Sequence, residues 1–250
     1  MLAHRFDLAS GLSIEVGFGE RQDSLQSIRE RIAHYPAQPQ LLTLHQVHSD
    51  ICVERTTVSE SIGDAHWTQS IDFALAIKTA DCLPVLGTIP TAEGGAILVA
   101  IHAGWRGVAA NIIGKSLRQL GSSVSSLSSG EAGSLLFKHA RFWVGPHIRM
   151  QSFKIQSDAL NLLQTASREI ALKADPFSAD CRSLVVANSE TEFQFNLLEL
   201  AQHQLKMQGI EDSQIDCSFA FDTVSDLRFH SHRRDRAQAG RNTSWITICS

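Results

Sequence analysis

Ala96-Ile97-Leu98-Val99-Ala100-Ile101-His102-Ala103-Gly104-Trp105-Arg106-Gly107 is the stretch that decides the architecture. Its first six residues are apolar without alternation, the pattern of a strand covered on both faces. A histidine ends the run. Gly104 and Gly107 then permit a tight turn and a close ligand approach. Beyond the turn, Ile112, Ile113, Leu117 and Leu120 fall on one helical stripe in residues 108–120. A doubly covered strand that ends in a reactive residue and a glycine turn implies a buried sheet strand that presents a site at its end.

Further strands are expected at 13–18, 41–47, 73–77, 142–144, 183–186 and 245–248, each short and bounded by turn formers or charges. Helices are expected at 25–34, with Asp23 or Ser24 as N-cap, at 157–172 from a Ser157 cap, and at 196–208 before the C-cap signal of Gly209. Residues 121–134, GSSVSSLSSGEAGS, are too polar to supply much core and read as a surface loop. The runs on both sides of it look like parts of one sheet system, so one domain is expected over residues 1–250.

The chain has 250 residues, 43% of them hydrophobic, enough to fill a sizeable core. Its net charge of −4 gives no global basic field to attract nucleic acid. No signal peptide or membrane-length apolar run is visible, so a cytoplasmic protein without a membrane partner is expected. The five cysteines, Cys52, Cys82, Cys181, Cys217 and Cys249, are widely spaced with no CxxC pair. That is neither a disulfide framework nor a finger-type zinc module.

Three short stretches place reactive residues after buried-looking strands: 44–49 (LHQVHS), 78–84 (KTADCLP) and 101–107 (IHAGWRG). Cys82 stands where a turn breaks the strand, with Pro84 removing a backbone donor. A lone cysteine of this kind is more often a buried small hydrophobe, and a lone histidine more often a core group. His45 and His48, three apart, would face opposite sides of a strand, and His48 is the better candidate because Ser49-Asp50 read as a turn. Taken together, His48, Cys82 and His102 are a credible zinc set that leaves a fourth position for water or substrate. A Cys82–His102 pair reads equally well as a nucleophile and its base. The basic run 230–241 is either a solvated loop or an anion clamp, since arginine forks match phosphate and carboxylate.

The motifs QVHS (46–49), TADCLPV (79–85), HAGWRG (102–107), VGPHI (144–148) and SHRRD…AGR (231–241) resemble, in order, those of the YfiH/laccase-domain family. That family is also called multicopper polyphenol oxidase or purine nucleoside phosphorylase, and it includes peptidoglycan editing factor-like members. The resemblance covers roughly residues 40–250. It implies an α+β fold of layered mixed β-sheets flanked by helices, a four-layer α/β/β/α arrangement similar to the cytotoxic necrotizing factor deamidase fold. It implies zinc held by His48, Cys82 and His102. It also implies phosphorolysis of adenosine, inosine and methylthioadenosine, with deamination of adenosine, so purine nucleoside and phosphate are the expected small-molecule partners.

On that reading Cys82, His102 and Asp81 are the catalytic candidates, Asp81 as a proton shuttle. Gln46, Arg106, Arg233 and Arg234 are the candidates for binding substrate or phosphate. Copper, reported for the family, fits less well because the chain has only three methionines and lacks further histidine–cysteine clusters. Two departures bear on substrate choice: a short 17–31 segment replaces a longer glycine- and asparagine-rich stretch, and Phe221-Asp222 stands where a Cys-Thr pair is usual. The rival readings are editing of an aminoacyl-muramoyl nucleotide, a cysteine hydrolase using Cys82 and His102, and a non-catalytic zinc protein with His45 or His147 as fourth ligand. The sequence leaves the oligomeric state between a monomer and a weak dimer.

Overall fold

The computed structural model describes residues 1–125, 136–173, 184–189 and 191–250. Its strands are β1 (Leu2–Asp7), β2 (Ser13–Phe18), β3 (Gln40–Leu42), β4 (Cys52–Glu54), β5 (Ala65–Thr68), β6 (Phe73–Thr79) and β7 (Leu83–Pro90). They continue with β8 (Ala96–Ala103), β9 (Arg141–Val144), β10 (Lys154–Gln156), β11 (Val185–Ala187), β12 (Glu192–Phe195), β13 (Ile215–Asp216) and β14 (Asn242–Ile248). The helices are α1 (Leu25–Ile32), α2 (Trp105–Ala109), α3 (Ile112–Ser125), α4 (Ser157–Lys173), α5 (Leu197–Lys206) and α6 (His232–Asp235). Six strands form one sheet in the order β13-β9-β7-β8-β5-β4, five form another as β1-β2-β14-β6-β3, and a small third sheet is β10-β12-β11.

Strand β8 shows how the layers stack. All eight of its residues are buried. Ala96, Leu98 and Ala100 meet Ile14, Val16, Leu75, Ile77, Ile246 and Ile248 from the five-stranded sheet. Ile97, Val99 and Ile101 face the opposite way, into a core with Val108, Ile112, Leu117, Leu200 and Leu205 from the helices. The outer face of the five-stranded sheet carries Ala74, Ala76 and Trp245, which α1 covers with Ile28 and Ile32. The result is helix, sheet, sheet, helix, the four-layer α+β arrangement. Each fully buried aliphatic side chain contributes on the order of 1.5–3 kcal/mol before the entropy of ordering is subtracted. The α1 layer is also clamped by charge: Arg31 donates twice, at 2.7 and 2.8 Å, to Glu15 on β2.

Several elements differ from the sequence reading. The turn expected at Cys82–Pro84 is confined to residues 80–82, and Pro84 lies inside β7. It is tolerated there because its partner His102 donates its N–H to Asp64 on the far side of β8, so that pair needs no donor from Pro84. The expected 41–47 strand ends at Leu42, and only an isolated bridge from His45 to Ile62 continues it. The expected 108–120 helix is two helices, parted at Asn111, whose φ of +60° suits an asparagine. Residues 121–125 belong to α3 rather than to a loop. The rest of the serine-glycine stretch, together with Cys181 and Ser183, lies outside the described residues. Phe137 and Phe142, beyond that stretch, share a core with Leu117 and Leu120 before it.

Candidate metal and substrate site

The site is assembled where three connections leave the two main sheets. His102 is the penultimate residue of β8, on the face that carries Leu98 and Ala100. Cys82 closes the link between β6 and β7. His48 lies in the segment after β3 with φ of +60°, a left-handed backbone state uncommon among non-glycine residues but one that histidine adopts more readily than most. The ligand atoms of the three side chains lie within 4.8 Å of one another. Cys82 Sγ is 4.0 Å from His48 Nδ1, and the two imidazole rings meet edge to face at 4.9 Å. A tetrahedral zinc ion, with bonds of about 2.0–2.3 Å, would hold such atoms roughly 3.3–3.8 Å apart. The observed set is close to that spacing, so these residues fit the metal that the donor types suggest.

Two glycines make room for the approach. A Cβ added at Gly104 would stand 2.9 Å from His48 Nδ1 and 3.1 Å from Cys82 Sγ, so only glycine leaves that pair undisturbed. One added at Gly107 would stand 3.0 Å from the Ser49 carbonyl oxygen, where α2 packs on the His48 segment.

Asp64, just ahead of β5, is fully buried and joins two of the three ligand segments. Its Oδ1 accepts from His102 Nδ1 at 2.8 Å and from the His48 N–H at 3.0 Å. Its Oδ2 accepts from the Ser49 N–H at 2.6 Å, the Ser49 hydroxyl at 2.7 Å and the Val47 N–H at 3.3 Å. Burial works to raise its pKa, yet the bonds from His102 and Ser49 hold the carboxyl well below the usual range. Burial likewise opposes a charged Cys82, but His102 and His48 outweigh it and bring the thiol down to about 6. His102 is held up at about 9 against its own burial by Asp64 and Cys82. The sequence reading missed Asp64. The segment offers little signal, since the strand that follows, Ala65-His66-Trp67-Thr68, is buried without being an apolar run.

The three residues open into a cavity of about 700 Å³. Trp105, Ile148, Phe153, Ile155 and Leu197 supply an apolar wall, and Lys78, Arg106, Arg233 and Arg241 supply cations. The Arg106 guanidinium stacks on the Trp105 ring at 4.5 Å. Arg233 also donates to the Lys154 carbonyl oxygen at 2.9 Å. His45 and Gln46 line the cavity, but the Gln46 amide is engaged in two 2.8 Å bonds with the Lys78 backbone. Arg234, expected beside Arg233, does not line the cavity. Its guanidinium donates to the carbonyl oxygens of Thr223, Val224 and Phe229 and to Asp235, so it holds the C-terminal segment together. Asp81 lines the cavity with φ of +86°, and both of its carboxylate oxygens are engaged. One accepts from the Thr223 hydroxyl and the other from the Arg233 N–H, each at 2.6 Å. That geometry makes Asp81 an anchor and argues against the expected proton shuttle. His147 is buried and bonded through Nδ1 to the Gly145 carbonyl oxygen, away from the cavity wall. Phe221 and Asp222 are likewise absent from that wall.

Fold and site define a class: a layered α/β/β/α protein in which strand ends and a glycine turn bring two imidazoles and a thiol into metal-binding range beside a cationic cavity. Within that class, residues 8–249 match the family described as multi-copper polyphenol oxidoreductase laccase, and the chain belongs to it. It is similar to a protein named purine nucleoside phosphorylase in Pseudomonas aeruginosa, at 30% identity over 82% of this chain and 73% of that one. A relative from Escherichia coli named purine nucleoside phosphorylase YfiH is 25% identical over 95% of this chain and 86% of its own. A Xylella fastidiosa relative named purine nucleoside phosphorylase is 30% identical over 76% of this chain, and the match spans 63% of its length. Among solved structures, a Neisseria meningitidis protein aligns with a TM-score of 0.72 at 22% identity, over 100% of this chain and 99% of that one. The Bacillus licheniformis hypothetical protein YfiH gives 0.70 at 21%, over 94% and 92%. At these identities the two structures bear on the fold alone. Among the described residues, no helix is long and apolar enough to cross a membrane.

Proposed function

We propose that this chain is a zinc-dependent purine nucleoside enzyme of the cytoplasm, phosphorolysing adenosine, inosine and methylthioadenosine and deaminating adenosine. The observation that carries this reading is the opening of the His48, Cys82 and His102 group into a cavity with an apolar wall and four cationic side chains. Phe153, Trp105 and Ile155 suit a flat, apolar base. Arg106, Arg233, Arg241 and Lys78 suit the oxyanion of phosphate. In phosphorolysis a phosphate oxygen bonds to the anomeric carbon while the glycosidic bond breaks and the base leaves with the electron pair. The cations hold the nucleophile, and the apolar wall orients the base and excludes water. Asp81 acts one step removed, fixing the backbone that carries Arg233.

Two imidazoles and a thiolate suit zinc. The same trio with an axial methionine would suit a blue-copper centre, but none of Met1, Met150 and Met207 lines the cavity. A bound zinc ion would supply Lewis acidity and water activation for the deamination. The lowered Cys82 pKa beside His102 supports a second reading, in which Cys82 is a thiolate nucleophile.

The test is metal content of the purified protein together with adenosine and inosine turnover, with and without phosphate. About one zinc per chain, with base release that requires phosphate and is lost in Cys82→Ala, supports the phosphorylase. Zinc without purine turnover moves the substrate to an aminoacyl-muramoyl nucleotide. Chelator-resistant activity that a thiol alkylator abolishes replaces the metal reading by the nucleophile.

A further inference from the structure

We infer that Asp64 is the positioning residue of this site, fixing the ring tautomer of His102 and the backbone of His48 through one carboxylate. The inference rests on the metal reading above and goes beyond it, because Asp64 is neither a ligand nor part of the cavity wall.

An ionised carboxylate only accepts hydrogen bonds, and here both oxygens face donors. On one side, Oδ1 takes the His102 Nδ1–H and the His48 N–H. A proton fixed on Nδ1 leaves the other ring nitrogen of His102 with its lone pair toward Cys82 and His48. On the other side, Oδ2 takes two backbone N–H groups and the Ser49 hydroxyl, which holds residues 47–49 in the turn that gives His48 its positive φ. The two histidine ligands are therefore set by one side chain. Its negative charge, added to that of the Cys82 thiolate, also balances a divalent cation held by two neutral imidazoles.

An asparagine cannot reproduce this. Its NH2 group must face one of the two sets of donors. Placed toward His102, it donates to Nδ1 and moves the ring proton to the ligating nitrogen. Placed toward Ser49, it opposes two N–H groups and loosens the His48 turn. Either outcome damages a ligand while leaving the layered core intact.

The experiment measures zinc affinity by chelator competition in wild type, Asp64→Asn and Ser49→Ala, with the His102 tautomer read by nitrogen-15 NMR and metal-free folding by circular dichroism. Asp64→Asn is expected to fold, to bind zinc about 10–100-fold more weakly, and to show either a His102 proton on the ligating nitrogen or an altered His48 environment. Ser49→Ala removes a single donor to the same oxygen and is expected to lose only a few-fold in affinity, so it carries the test if Asp64→Asn does not fold. Wild-type affinity in either folded variant overturns the positioning role. A wild-type protein that binds no zinc overturns the metal reading instead, and that result is seen before any variant is compared.

Discussion

Two carboxylates serve this site, and they organise it in opposite ways. Asp64 gathers partners 15 to 38 residues away: its donors at 47–49 and 102 all belong to ligand-bearing segments. Asp81 reaches across the chain, tying the residue before Cys82 to Thr223 and Arg233. The first sets where a metal would sit; the second sets where the substrate wall meets it. Side chains of one chemical type, one behind the cavity wall and one in it, thus divide the candidate site into a half that could hold a metal and a half lined with cations.

The largest way to break this comparison is Asp81→Ala. It strands a hydroxyl and a backbone N–H and places an alanine at φ of +86°. A stability loss of about 3–5 kcal/mol is expected in chemical denaturation. A loss below about 1 kcal/mol would mean that the link to Arg233 is not structural. Next in size is the contrast between neighbours. Arg234→Ala is expected to cost about 2–3 kcal/mol of stability, because its four partners lose a charged donor. Arg233→Ala should instead raise the KM for phosphate with a smaller loss of stability. Equal behaviour of the two variants would erase the distinction between anchor and wall.

Gly104→Ala tests the metal half alone. Its Cβ presses on His48 and Cys82, and zinc affinity should fall about 10-fold, or about 1.4 kcal/mol, while the metal-free melting temperature changes little. The last test concerns acid, and its effect is the smallest when taken per histidine over one pH unit, about 1 kcal/mol. His66 and His147 are fully buried, and burial pushes their pKa values down to about 3 and about 4. Both stay neutral in the fold but take protons when unfolded below about pH 6.5. Stability therefore falls as pH drops from 6.5 toward 4, by about 1 kcal/mol per pH unit for each histidine. The depressed Asp64 contributes nothing to that slope, since its stabilisation is lost only as pH falls below the ordinary carboxylate range. Denaturation of His66→Leu at pH 6 and pH 5 should show about half of the wild-type difference. An unchanged difference would clear His66.

The metal half was legible in the chain because strand ends followed by turns are visible in sequence: His102 after 96–101, Cys82 before Pro84, His48 before Ser49. Its organiser was not. Asp64 sits in Gly63-Asp64-Ala65-His66-Trp67, where nothing local shows that its partners come from the 47–49 turn and β8. In the anion half, Arg233 and Arg234 are adjacent and chemically identical, so only the backbone direction of α6 separates wall from anchor. That β8 is covered on both faces followed from its apolar run, while the four-layer order came from the family resemblance alone. The strands that escaped notice were those without an apolar run, such as the mostly exposed β1, and β7, whose Pro84 looked like a stop until its pairing with His102 showed that no donor was required.

The position of β14 has a consequence for how the molecule is made. It lies between β2 and β6, pairing Ile246 with Val16 and Asn242 with Thr79. Until residues 242–248 have left the ribosome, the five-stranded sheet is two unjoined pieces, each with an open edge. The inter-sheet core cannot close, and the segment carrying Cys82 follows a strand, β6, that is paired with β3 on one side only. Folding must therefore wait for synthesis to pass that point, and a chain cut short before Asn242 would offer two bare strand edges to whatever it meets.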